Sequence, residues 1–115
     1  MKKKMLDGDK PLIFLGDNHG AWHQLYSIVD YKQLKNCYII SVGDLGIGFH
    51  AKDYPLYKSL NSDFKERDIN FYGIRGNHDD PSYFEGNKRI VLSNFELIED
   101  YSVFEYNNQN IQFIG

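Results

Sequence analysis

Tyr38-Ile39-Ile40-Ser41-Val42-Gly43-Asp44 decides the fold. The run is short and apolar, as a strand buried on both faces is, and it stops on a Gly-Asp turn. The same design recurs on either side. Upstream, Pro11-Leu12-Ile13-Phe14-Leu15 runs into Gly16-Asp17; downstream, Asn70-Phe71-Tyr72-Gly73-Ile74-Arg75 runs into Gly76-Asn77. Between the first two strands, residues 21–34 place Trp22, Leu25, Ile28 and Val29 on one face at three- and four-residue spacing, which predicts an amphipathic helix. Residues 53–67 predict a second, with Leu56, Tyr57, Leu60 and Phe64 on one face and Asp63, Lys65 and Glu66 off it. Strand, helix, strand, helix, strand implies right-handed crossovers and a parallel sheet, because connections this long are not hairpins. All three glycine turns then fall at the carboxyl edge of one sheet, where open α/β folds bind ligands. Further on, residues 89–92, 101–106 and 111–114 predict three more strands, the last two joined in a hairpin by a turn at 107–110.

Composition bounds the rest. The chain has 115 residues, of which 42% are hydrophobic and 25% charged, which fits one globular α/β domain over residues 1–115. Thirteen Lys and Arg against sixteen Asp and Glu give a net charge of −3, so no basic field holds a nucleic-acid backbone and no standing nucleic-acid partner is expected. Cys37 is the one cysteine and begins an apolar run, which predicts a small buried side chain and a reducing, cytoplasmic setting. The lysines at positions 2–4 are followed by Asp7, Gly8, Asp9 and Lys10 rather than an apolar segment. Residues 1–4 are therefore expected to be a solvated tail. No run approaches 18 apolar residues, so no membrane helix is expected. Nine Tyr, eight Phe and Trp22 are spread over the predicted strands and helices and read as core and rim packing.

The chemistry gathers at the glycine turns. They present Asp17 and His19 from Gly16-Asp17-Asn18-His19-Gly20, Asp44 from Gly43-Asp44-Leu45-Gly46, and Asn77 and His78 from Gly76-Asn77-His78-Asp79-Asp80. Asp17 and His19, two residues apart, can point the same way and grip one ion. Asp44 can bridge, since one carboxylate commonly spans a pair of metals. Mixed nitrogen and oxygen donors suit Mn, Fe or Zn better than Ca or Mg. The glycines let the chain adopt positive φ at the strand ends and let an ion or phosphate approach the backbone. A lone Gly-Asp is usually only a turn. A four-residue match such as Gly-Asn-His-Asp, at roughly one chance in twenty per position, occurs in about one chain in a thousand of this length, and two ordered matches are far rarer.

Gly-Asp-x-His-Gly, then Gly-Asp, then Gly-Asn-His-Asp resembles the calcineurin-like metallophosphoesterase family, with motifs running from Asp17 to Asp80. The stretches Gly43-Asp44-Leu45-Gly46-Ile47-Gly48-Phe49 and Ile74-Arg75-Gly76-Asn77-His78-Asp79-Asp80-Pro81 are similar to its small bacterial and phage members. The resemblance implies a β-sandwich flanked by helices, of which this chain carries the N-terminal βαβαβ half plus a β-hairpin. It implies hydrolysis of phosphate esters, with Asp17 and His19 on the first of two metal ions, Asp44 bridging and Asn77 on the second. His78 then faces the substrate and protonates the leaving oxygen, and the nucleophile is a hydroxide held between the ions.

The sequence departs from the family pattern in two places. Where many of the family's phosphatases carry Asp and Arg after the second motif, Ile47 and Gly48 stand here, which weakens a protein-phosphatase assignment. No histidine follows His78, whereas the family completes its two-metal site with three more. The expectation is thus an N-terminal half with weak metal affinity and activity when it acts alone. The alternative is a catalytically incomplete metal-binding or interaction module, with self-association through an uncovered sheet. His50, in the loop after Asp44, is a candidate substrate contact. Arg75 has two readings, a phosphate ligand or a structural ion-pair partner of Asp79 or Asp17.

Overall fold

The computed structural model describes residues 3–16, 22–42, 54–76, 79, 81–86 and 89–112. Seven strands and two helices run in the order β1 (Lys3–Met5), β2 (Leu12–Leu15), α1 (Trp22–Lys32), β3 (Cys37–Ser41), α2 (Tyr54–Glu66), β4 (Ile69–Ile74), β5 (Phe95–Ile98), β6 (Val103–Tyr106) and β7 (Gln109–Gln112). Strands β2, β3, β4 and β5 form a four-stranded sheet in that order, every pair parallel. Strands β1, β6 and β7 form a second sheet, with β1 parallel to β6 and β6 antiparallel to β7. The mixed α/β class and its parallel sheet agree with the sequence.

Side chains alternate across a strand, and the parallel sheet uses both faces. Ile39, Phe71, Phe95 and Leu97 point toward the helices and pack with Trp22, Leu25 and Val29 of α1 and Tyr57, Leu60 and Phe64 of α2. Tyr38, Ile40, Tyr72, Ile74 and Ile98 point the other way, against Phe104 of β6, with Leu6, Tyr106 and Ile111 closing the layer. Many of the aromatic residues expected to be packing form the core, where Phe71 stacks on both Phe64 and Phe95 and Trp22 meets Tyr57 edge-on at 5.8 Å, whereas Phe14, Tyr31 and Tyr101 are exposed. Cys37 is buried and free, and burial raises its thiol pKa, consistent with a packing role.

Helix ends follow local rules. At the end of α1, Leu34 N–H donates to Val29 O and Gln33 N–H to Asp30 O, the paired bonds of a Schellman cap, with Gln33 at φ 50° in the place usually taken by glycine. Leu34 packs back on the same core as Val29, the apolar contact that accompanies this cap. In the β6–β7 hairpin, Asn107 and Asn108 lie at φ 53° and 64° between the paired Tyr106 and Gln109. Two left-handed residues between strands make a type I′ turn, whose twist suits a hairpin. Gly8 lies close to that turn: a Cβ there would lie 1.8 Å from Asn107 Oδ1, so the Asn107 side-chain amide would have to turn aside.

Two expectations are corrected. Lys3–Met5 is a strand, not part of a solvated tail, because its alternate side chains find partners far along the chain: Lys3 pairs with Glu105 at 3.0 Å and Lys4 with Glu96 at 2.7 Å. Positions 1 and 2 lie outside the described residues. The run 89–92 is not a strand of the sheet; it contributes a single antiparallel bridge, Val91 to Glu96, and the fourth parallel strand is β5. Val91 is half exposed whereas all four residues of β5 are buried, so the interior went to the run that could cover Phe71.

The carboxyl edge and the candidate functional site

Register places the chain exits side by side. Leu15 pairs with Ser41, Ser41 with Gly73, and Val42 N–H donates to Leu15 O at 2.9 Å. With strands about 4.8 Å apart, the ends of β2, β3 and β4 lie within roughly 10 Å of one another on one edge. This is the edge at which the sequence places its donors. Asp17, His19, Asp44, His50, Asn77 and His78 themselves lie outside the described residues. Among the described residues no group of three or more His, Cys, Asp or Glu side chains is arranged to hold a metal. The chemistry of the donor set, two carboxylates, an imidazole and an amide oxygen leaving adjacent strands, fits a mixed N/O site for divalent metals.

The described residues show how the third turn is held. Gly76 N–H donates to Asp79 Oδ2 at 2.9 Å, and Asp79 N–H donates back to Gly76 O at 3.3 Å. The Asp79 side chain is buried, so the stretch from 76 to 79 is fastened at both ends and its two central positions, Asn77 and His78, are bracketed. Asp79 therefore closes this turn on the backbone of Gly76. Its signal is in the sequence, an Asp three residues after a strand-ending Gly, the spacing at which a side chain can close a turn on its own backbone. Replacing it with Ala leaves the buried Gly76 N–H without its carboxylate acceptor, and about 1–3 kcal/mol of stability is expected to go with it. Asp79→Asn keeps an acceptor oxygen and is expected to lose less than half of that. Urea titration of both variants tests the ordering, and equal losses would remove the hydrogen bond as the cause.

Arg75, the last residue before that turn, is in an ion pair, as one of its two readings had it, but with another partner. That partner is Asp100, with Nη2 2.8 Å from Oδ2 and Nε donating to Oδ1 at 3.3 Å; Asp17 lies outside the described residues. The hydrogen bond to Asp100 raises the Arg75 pKa further, against a smaller opposing effect of burial. Asp100 sits in the turn after β5, which ends at the same edge. Ser102 N–H and Oγ–H both donate to Glu99 O, at 3.3 and 2.8 Å, and close that turn. Tyr101 within it is at φ 64°, a conformation that costs a non-glycine residue on the order of 1–3 kcal/mol.

At Gly16 the left-handed backbone expected of the turn glycines is absent. Its φ is outside the left-handed region, and a Cβ there meets nothing within 4 Å among the described residues. Beside it, a cavity of about 210 Å³ opens between the sheet and α1, lined by Leu15, Gly16, Ser41, Trp22, Leu25 and Phe71. The Trp22 Nε1–H is buried and has no hydrogen-bond partner among the described residues. No helix among the described residues is long and apolar enough to cross a membrane.

Comparison with known proteins agrees with the motif order. No curated protein and no solved structure matches the chain. The family model for calcineurin-like phosphoesterases matches residues 10–114, which takes in the parallel sheet, both helices, all three glycine turns and the hairpin. The chain belongs to the calcineurin-like phosphoesterase family.

Proposed function

We propose that the chain hydrolyses phosphate esters with the help of two divalent metal ions, of which Mn, Fe and Zn fit the donors best. The observation that carries this reading is the convergence of three strand exits on one edge, each followed in sequence by a Gly-Asp or Gly-Asn turn. Asp17 and His19 hold one ion, Asn77 the other, and Asp44 both. Bound metal supplies Lewis acidity toward the phosphoryl oxygens and acidifies water at neutral pH. The protein's own groups do the rest. His78 gives its proton to the departing oxygen, a task suited to a side chain that titrates near neutrality. Arg75, fixed next to the turn, takes a phosphoryl oxygen through its guanidinium. His50, six residues after Asp44 in the sequence, contacts the substrate. The setting is cytoplasmic, and a net charge of −3 favours small phosphate esters over nucleic acid.

The test is hydrolysis of p-nitrophenyl phosphate by the metal-stripped chain, with and without added Mn. Turnover is expected only with metal and is expected to return to background when a chelator is added. A rate that survives exhaustive chelation, or no turnover with Mn, Fe or Zn, would remove the proposal.

A further inference from the structure

This inference rests on the phosphoesterase reading, in which Arg75 takes a phosphoryl oxygen. We infer that Asp100 is a positioning residue for that site: it clamps the Nε and Nη2 side of Arg75 and leaves Nη1 to be presented to phosphate at the carboxyl edge. An arginine at a strand end is otherwise free to swing on its long side chain into solvent. Here Asp100 occupies Nε at 3.3 Å and Nη2 at 2.8 Å, and among the described residues nothing else bonds the guanidinium. The two side chains are 22% and 18% exposed, sheltered enough for the pair to escape full screening and open enough for an anion to arrive.

Asp100 is itself held from several directions. Its turn is closed twice onto Glu99 O by Ser102, and Gln112 of β7 donates to Tyr101 O at 2.8 Å. The turn keeps a tyrosine in the left-handed region, where glycine would sit without strain. Strain of this kind persists where the surroundings over-determine the backbone, and it gathers at functional sites. The fold thus brings a carboxylate from the turn after β5 to the residue that precedes Gly76-Asn77-His78 in sequence.

A purely structural ion pair and a positioning pair differ in what they do to phosphate. The experiment is calorimetric titration of inorganic phosphate into the chain in the presence of Mn, alongside KM and kcat for p-nitrophenyl phosphate. Asp100→Asn is expected to weaken phosphate binding about tenfold and raise KM about as much, with kcat within roughly twofold, the size of effect seen when a group orienting a ligand-binding side chain is lost. Asp100→Glu is expected to recover most of the affinity. Arg75→Lys keeps the charge and loses the fork, so its phosphate affinity is expected to fall by a similar factor, and it serves as the test should Asp100→Asn not fold. Unchanged phosphate affinity in Asp100→Asn or Arg75→Lys overturns the inference and leaves the phosphoesterase reading standing. Phosphate binding that depends on Asp100 in a chain that turns nothing over supports the inference and removes the hydrolase. A chain that binds no phosphate with Mn present overturns both.

Discussion

Glu96→Ala is expected to lower the stability of the folded chain by about 3–5 kcal/mol, the cost of removing one member from a buried ion network. Glu96 lies in the otherwise apolar β5 and is 7% exposed. It is sustained there by Lys4 Nζ at 2.7 Å on one oxygen and Arg89 Nη2 at 2.6 Å on the other, while Arg89 Nε donates to Leu97 O at 2.9 Å. Without the carboxylate, Lys4 loses this partner and Arg89 keeps the longer contact to Glu99, at 3.6 Å. Against a total of 5–15 kcal/mol typical of small domains, a loss of this size unfolds a large fraction of the molecules near body temperature. Guanidinium titration measures it, and a second sign accompanies it. Burial, and then the charge of Glu96, push the Tyr72 phenol up to about 12, so its pKa is expected to come down in the variant. Lys4→Ala removes a partner that is 37% exposed, and about 1 kcal/mol or less is expected. If Glu96→Ala cost no more than Lys4→Ala, the network would not be what holds β5 in place.

Asp44→Asn is expected to cut Mn-dependent turnover of p-nitrophenyl phosphate by at least about a hundredfold, or roughly 2.7 kcal/mol of barrier. Asp44 follows β3, the inner strand whose exit stands between those of β2 and β4, the place from which, under the proposed function, one carboxylate would serve both ions. An amide of the same shape offers one neutral acceptor oxygen where the carboxylate offers two charged ones. Metal stoichiometry by equilibrium dialysis is expected to fall in parallel, with the melting temperature nearly unchanged. A variant turning over within threefold of the parent would show that Asp44 bridges nothing.

How far the sequence speaks depends on where each residue finds its partners. The helices and β2, β3 and β4 were legible because apolar spacing mostly reports burial; α1 and α2 end within two residues of the expected bounds and Tyr38-Ile39-Ile40 fills both faces of the sheet, although Ile28 of the predicted α1 face and Phe14 of β2 are exposed. Strand β5 was hidden by Glu96, which interrupts an apolar run and is buried only because Lys4 and Arg89 neutralise it. Strand β1 was hidden for the same reason from the other side, since three lysines in four residues look like a tail until Glu96 and Glu105 are placed beside them. At the site, the order of the glycine turns was enough to reach the family. The clamp on Arg75 was not visible, because Asp100 stands in no motif and reaches the edge only through β5, the strand the sequence concealed.

The pairing of β1 with β6 also sets an order of events. Lys3 aligns with Val103, a separation of 100 residues, whereas neighbours in the parallel sheet are joined through segments of about thirty residues or fewer. Long-range pairings carry the larger loop-closure entropy and form late. During synthesis the first strand therefore waits, unpaired, until residues near the hairpin emerge. The earlier-made partner of this pair is then among the last elements to dock.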